Sequence, residues 1–209
     1  MSEAWPYESL SQPRPCGGEE RARSSILRAA VWMATDYGLE SVSIGSLASA
    51  VGMSKTGVYR LFGSKQELQL AVVEEAARIF TEEVVRPALA VPAGLPQLTA
   101  VCEAFFEHLE RRTFPGGIFM ASVALEMGGR PGPARELIAE FQSRFGALIR
   151  GFAAAALARG ELAAGEDPDR LAFELNGIML AAHTNFVLHD DPAVLDLARQ
   201  IVRQRLGVS

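Results

Sequence analysis

Cysteine and histidine are scarce in this chain of 209 residues, which has two of the first and three of the second. Cys16 and Cys102 form no CxxC pair, so nothing supports a zinc site or thiol redox chemistry. Cys102 falls in an apolar helical pattern and reads as a small core residue, and Cys16 as an incidental surface thiol. A reducing cytoplasm suits both. None of His108, His183 and His189 adjoins a serine or cysteine in a nucleophile motif, and no glycine-rich phosphate loop occurs. His183 and His189 fall on different faces of one helix, which argues against a metal. An enzyme is therefore not expected, nor is a metal or a cofactor. No run of 18 or more uncharged apolar residues is present, so no membrane span is expected. The N-terminus lacks the basic start and apolar block of a signal peptide. Strand alternation of useful length is missing as well.

What is present is helical periodicity. Apolar residues make up 49% of the chain, enough for a substantial core, and recur at steps of three and four almost throughout. The pattern predicts an all-α protein. Residues 1–20 read as a flexible leader interrupted by Pro6, Pro13, Pro15, Gly17 and Gly18. The net charge of −5 taken as a whole disfavours nucleic acid, but it is unevenly spread. Residues 21–65 carry six cations against two anions, a balance of +4. From residue 66 onward 13 cations face 19 anions, a balance of −6. A basic module joined to an acidic body fits a DNA-binding head on a regulatory body, although clustering by chance gives the same balance.

The stretch from Ser43 to Lys65 carries the most information. A first helix, from about Arg23 to Tyr37, buries Ile26, Leu27, Ala30, Met33, Ala34 and Tyr37 and ends at Gly38, where Leu39 folds back. A second begins after Ser43 as N-cap, buries Ile44, Leu47, Ala48 and Val51, and stops at Gly52. Ser54 caps a third helix that buries Val58 and Leu61 and presents Lys55, Thr56, Tyr59 and Arg60 on its other side. Such a helix suits a groove lined with phosphates. Gly57 in a helix interior costs about 1 kcal/mol relative to alanine, which close approach to a partner surface would offset; helix packing is the alternative. Tyr59 also fits a core edge, but its polar and cationic neighbours favour an outer face. Ser64 to Glu67 reads as a capping box opening a fourth helix that runs unbroken to about Leu89, connecting head to body. Lys65 just after that N-cap opposes the helix dipole, so an external anion would explain it better than solvent does.

The body is predicted as helices over about Pro96–Arg112, Ile118–Glu126, Pro133–Arg159, Pro168–Leu188 and Pro192–Leu206. The penultimate helix has two apolar stripes. One holds Leu171, Leu175, Ile178, Met179, Ala182 and Phe186; the other holds Phe173, Gly177, Leu180, Ala181 and Val187. A helix apolar on two sides is buried on two sides, so the spacing predicts a homodimer through a four-helix bundle of the last two helices of each chain. Phe105, Phe119, Met120, Phe141, Phe145, Asn176, Met179 and His183 are candidates to line a site for a small apolar or amphipathic effector. Plain core and interface hydrogen bonds are the competing readings.

In order and spacing, Ile26-Leu27 with Ala29-Ala30, Tyr37-Gly38, the run from Ser43 to Lys65 and Leu68 resemble the N-terminal domain of TetR-family transcriptional regulators. The resemblance covers about 50 residues; the body is similar to the family's regulatory domain only in helix count and twin terminal helices. It implies a helix-turn-helix DNA-binding domain over 21–66 and a helical ligand-binding and dimerisation domain over 67–209. It implies a homodimer on a palindromic double-stranded DNA operator, released by a small ligand. By position, Lys55, Thr56 and Gly57 would face the bases or groove wall. Tyr59 and Lys65 would touch phosphates, Ser43 would cap its helix and touch the backbone, and Ser54 and Arg60 would lie within reach. Two departures stand out: Leu61 where a polar residue, often histidine, is frequent, and Gly45 where some members carry a basic phosphate ligand. The competing reading is a helical homodimer whose head binds another protein.

Overall fold

The computed structural model describes residues 18–208, with side chains from Arg23 onward. The described residues form helices and turns and no strand. They fall into two compact units, one of residues 18–79 with 114–141, the other of residues 80–113 with 142–208.

The first unit holds α1 (Gly18–Tyr37), a 3-10 turn (Leu39–Ser41), α2 (Ile44–Ala50), α3 (Lys55–Phe62), α4 (Lys65–Phe80) and α7 (Phe119–Gly128). Helix α1 starts at Gly18, five residues before the expected Arg23, because no proline follows Pro15 to stop it from growing backward. The rest of the expected leader, residues 1–17 with Cys16, lies outside the described residues. Ile26, Leu27, Ala30 and Ala34 are buried as expected, joined by Val31. Tyr37 is not buried but 67% exposed, and Leu39 is buried completely as the chain folds back past Gly38.

Residues 114–128 are pressed against α1. A Cβ at Gly116 would lie 1.9 Å from the Thr35 carbonyl oxygen, so only glycine lets the two backbones meet. The neighbouring Ser122 hydroxyl donates to the Gly116 carbonyl, fixing the loop before α7. Forcing a methyl into this seam is overpacking against backbone, which costs roughly 1–3 kcal/mol. Gly116→Ala should lower the melting temperature accordingly, as read by circular dichroism; an unchanged melt would mean the seam opens freely.

The second unit holds α5 (Arg86–Leu89), α6 (Leu95–Glu110), the C-terminal part of α8 (Pro133–Ala158), α9 (Pro168–His189) and α10 (Ala193–Leu206). The unbroken fourth helix of the sequence reading is interrupted by a π-helical turn at Thr81–Val85. Pro87 has no N–H for the Glu83 carbonyl and its ring crowds that oxygen, so the ladder upstream widens, and Arg86 N–H bonds to Thr81 O. Phe80 packs edge-on against Phe145 and Phe105, at centroid separations of 5.0 and 6.3 Å. Cys102 is buried here, and burial pushes its thiol up to about 12, which keeps it an inert core group.

Helices α9 and α10 pack on each other and on α6. Asp167 caps α9 by accepting from the Asp169 and Arg170 N–H groups, with Pro168 in the first turn. Arg199 of α10 binds Glu103 and Glu110 of α6, both at 2.6 Å, and Arg205 binds Glu166 and Glu174. The Leu171, Leu175, Met179, Ala182 and Phe186 stripe of α9 is buried. The other stripe is open: Phe173 is 82% exposed, with Leu180, Val187 and Leu188 also exposed and Leu197 and Ile201 exposed on α10. Among the described residues, α9 is the one helix long and apolar enough by length and composition to cross a membrane.

Candidate nucleic-acid interface

The helix-turn-helix is set by side chains no more than three residues from the groups they bind. Ser43 Oγ accepts from Ser46 N–H at 3.1 Å, and Ser46 Oγ accepts from Ser43 N–H at 2.9 Å, a reciprocal box opening α2. Gly52 turns the chain with φ +67°, a conformation that favours glycine. Ser54 Oγ accepts from Gly57 N–H at 3.1 Å and opens α3. Gly63, at φ +75°, ends it. Ser64 Oγ accepts from Glu67 N–H at 3.1 Å, the N-terminal half of the expected capping box for α4.

Helix α3 is anchored by Val58 and Phe62, both buried, with the Arg23 guanidinium 5.1 Å from the Phe62 ring centroid. Leu61, expected in that core, is only half-buried, as are Ile44 and Val51 of the preceding helix and turn. Ser54, Lys55, Thr56, Tyr59 and Arg60 are exposed, and Gly57 lies half-exposed among them. The anchors at 58 and 62 are one turn apart, so the residues between and before them point the other way. One unbroken polar, cationic and aromatic face results.

The glycine at 45 acquires a structural meaning. A Cβ there would lie 3.5 Å from Lys55 Cε and 3.8 Å from Lys55 Nζ. The end of the Lys55 side chain thus lies beside the first turn of α2. Lys65 is exposed but engaged: its Nζ donates to Glu40 Oε2 at 3.0 Å. That ammonium, followed by the Gln69 amide, holds the Glu40 carboxyl below the usual carboxylate range. The sequence reading missed Glu40, which binds this lysine, and Gln69, Glu126 and Arg130, which bind Glu40 or its backbone. Their partners lie 25 to 90 residues away, where no local spacing reports them.

Phe105, Phe145, Met179 and His183 are buried in the second unit, while Phe119, Met120 and Phe141 are buried in the first. Asn176 is exposed on the outer face of α9, alongside Phe173 and Leu180, so it does not join the inner set.

Comparison with known proteins agrees with this geometry. Residues 26–72 match the family described as bacterial regulatory proteins, tetR family, and residues 94–202 match the tetracyclin repressor-like C-terminal domain. The transcriptional regulator AcuR of Cereibacter sphaeroides is 30% identical over 169 residues, covering 77% of this chain and 74% of that protein. A TetR transcriptional regulator from Chloroflexus aurantiacus superposes with a TM-score of 0.82 at 23% identity, covering 90% of this chain and 95% of its own. AibR, solved in complex with isovaleryl coenzyme A and operator DNA, superposes with a TM-score of 0.70 at 21% identity, covering 87% and 97% of the two chains.

Proposed function

Because the chain belongs to the TetR family of DNA-binding transcriptional regulators, we propose that it is a repressor released from a palindromic operator by a small ligand. The observation that carries the reading is the outer face of α3, where Lys55, Thr56, Tyr59 and Arg60 surround Gly57. In this reading α3 enters the major groove, with Lys55, Thr56 and Gly57 toward the base edges. Tyr59, Lys65 and the Ser43 turn hold phosphates, and Ser54 and Arg60 flank them. A second copy joins through the exposed stripes of α9 and α10, so two heads read half-sites one or more helical turns apart. The reading places the protein in the cytoplasm with its operator.

The effector site is proposed among Phe105, Phe145, Met179 and His183, which share the second unit. An apolar lining with one polar group suits a small apolar or amphipathic ligand. That AibR was solved with both an acyl thioester and DNA supports pairing a ligand with an operator. A ligand acts only through unequal affinity for two conformations. Equal operator affinity with and without the true effector would refute the release step.

Selection of bound duplexes from a random pool tests the core reading, since it reports binding, palindromy and half-site spacing together. Lys55→Ala should weaken the selected site by about 1–3 kcal/mol and relax base preference where the lysine reads. Tyr59→Ala should weaken all sequences alike. Unchanged affinity and preference in Lys55→Ala would show that α3 is misplaced.

A further inference from the structure

Three side chains converge on one carboxylate beside the proposed phosphate grip. Glu40 Oε2 accepts from Lys65 Nζ at 3.0 Å and lies 3.2 Å from the Arg130 guanidinium. Glu40 Oε1 accepts from Gln69 Nε2 at 3.1 Å. The backbone beneath is fixed from α7, where the Glu126 carboxylate accepts from Leu39 N–H at 2.8 Å and Glu40 N–H at 2.9 Å. Gly38 permits that approach: its φ is +86°, and a Cβ there would lie 2.8 Å from the Glu126 carboxylate. Glu40 is therefore an anchored anion, held in place whatever Lys65 does.

Lys65 is the phosphate ligand of the reading above, and this inference rests on that reading. A DNA phosphate and Glu40 are rivals for one ammonium. We propose that Glu40 is an internal counter-ligand, displaced from Lys65 by a DNA phosphate, and that Arg130 is the positioning residue that keeps Glu40 paired after the exchange. Lys65, Arg130 and Glu40 together carry a charge of +1. Without Arg130 they carry none, and Lys65 can reach a phosphate only by leaving a bare carboxylate beside it. With Arg130 already on the same Oε2, the exchange proceeds without exposing an unpaired anion to DNA. Lys65 and Glu40 are both well exposed, 45% and 38% by side chain, so the pair yields readily to a stronger ligand. Arg130 belongs to the residues matching the C-terminal domain, so a residue outside the helix-turn-helix tunes its grip on DNA.

The test uses the full chain as wild type, Glu40→Gln, Arg130→Ala and the double variant. Each is titrated with a duplex selected by the wild type and with an unrelated 30-base-pair duplex, over a series of salt concentrations. Glu40→Gln keeps an acceptor for Gln69 but loses the charge. It should bind both duplexes about two- to fivefold more tightly for each head engaged, the range of an exposed ion pair. Arg130→Ala should bind both more weakly by a similar factor, and this loss should vanish in the Glu40→Gln background. A Lys65→Ala background should abolish the gain from Glu40→Gln and make the salt slope shallower by about 0.9 for each head engaged. Equal affinities for all four proteins, or an Arg130→Ala loss undiminished beside Glu40→Gln, would overturn the inference. Neither result touches DNA binding itself, which fails only if the wild type shows no salt dependence. Thermal melts of each variant separate a folding defect from a change in grip.

Discussion

Phe173→Glu should turn the protein from dimer to monomer at micromolar concentration without unfolding it. Phe173 is 82% exposed in the single chain, so a charge there meets water in the monomer and should change its stability by no more than about 0.5 kcal/mol. In a two-fold dimer the same substitution occurs twice. Each copy removes about 2–3 kcal/mol of apolar burial, before the cost of enclosing a carboxylate. Together they should weaken association by roughly 10³-fold or more. Operator binding should fall with it, because two joined heads gain about 10²–10⁴ over one. Sedimentation and operator titration read the two losses, and Leu180→Glu, on the same stripe, should reproduce both. A dimer that survives both substitutions would place the interface elsewhere and leave the outer face of α9 needing another occupant.

That face shows how far the sequence could be read. Two apolar stripes on α9 were legible from spacing alone, since periodicity reports every apolar face of a helix. Which stripe faces inward was settled by α6 and α10, whose packing no local pattern contains. The helix-turn-helix was legible almost residue by residue, because Ser43, Ser54, Gly52 and Gly63 act on groups within three or four positions. Errors arose where distant segments compete for the same space. Tyr37 carried the right period for the α1 stripe, but Leu39 folded back and took the interior. The glycine at 116 had no local reason to be there until Thr35 was seen against it. The clamp of Glu126 on Leu39 and Glu40 spans more than 80 residues of chain, beyond any motif. The π turn at Thr81–Val85 was a different kind of miss. Pro87 fell inside a helix read as unbroken to about Leu89, and its missing N–H reshapes the ladder upstream.

Gly57→Ala separates the two explanations for a glycine inside α3. If the residue is there for packing within the head, a methyl should harm the fold. The structure gives that explanation little room. An added Cβ would approach Met53 Cε at 3.3 Å, the end of an exposed side chain, and Ser54 Oγ at 3.2 Å, the N-cap acceptor, which must give by a few tenths of an ångström while keeping its bond to the residue 57 N–H. Alanine in a helix is favoured over glycine by up to about 1 kcal/mol, which offsets that shift, so the variant should melt close to the wild-type temperature. The cost should appear only against DNA. On the face beside Lys55, Thr56 and Tyr59, a methyl holds α3 back from the groove and lengthens every base contact at once. Losing one good contact costs about 1–3 kcal/mol, so operator affinity should drop about tenfold to a hundredfold. Binding to unrelated duplexes, which depends on phosphates, should change far less. A variant that melts normally and binds its operator normally would put Gly57 away from the groove. A variant that loses its fold would make it a packing residue after all.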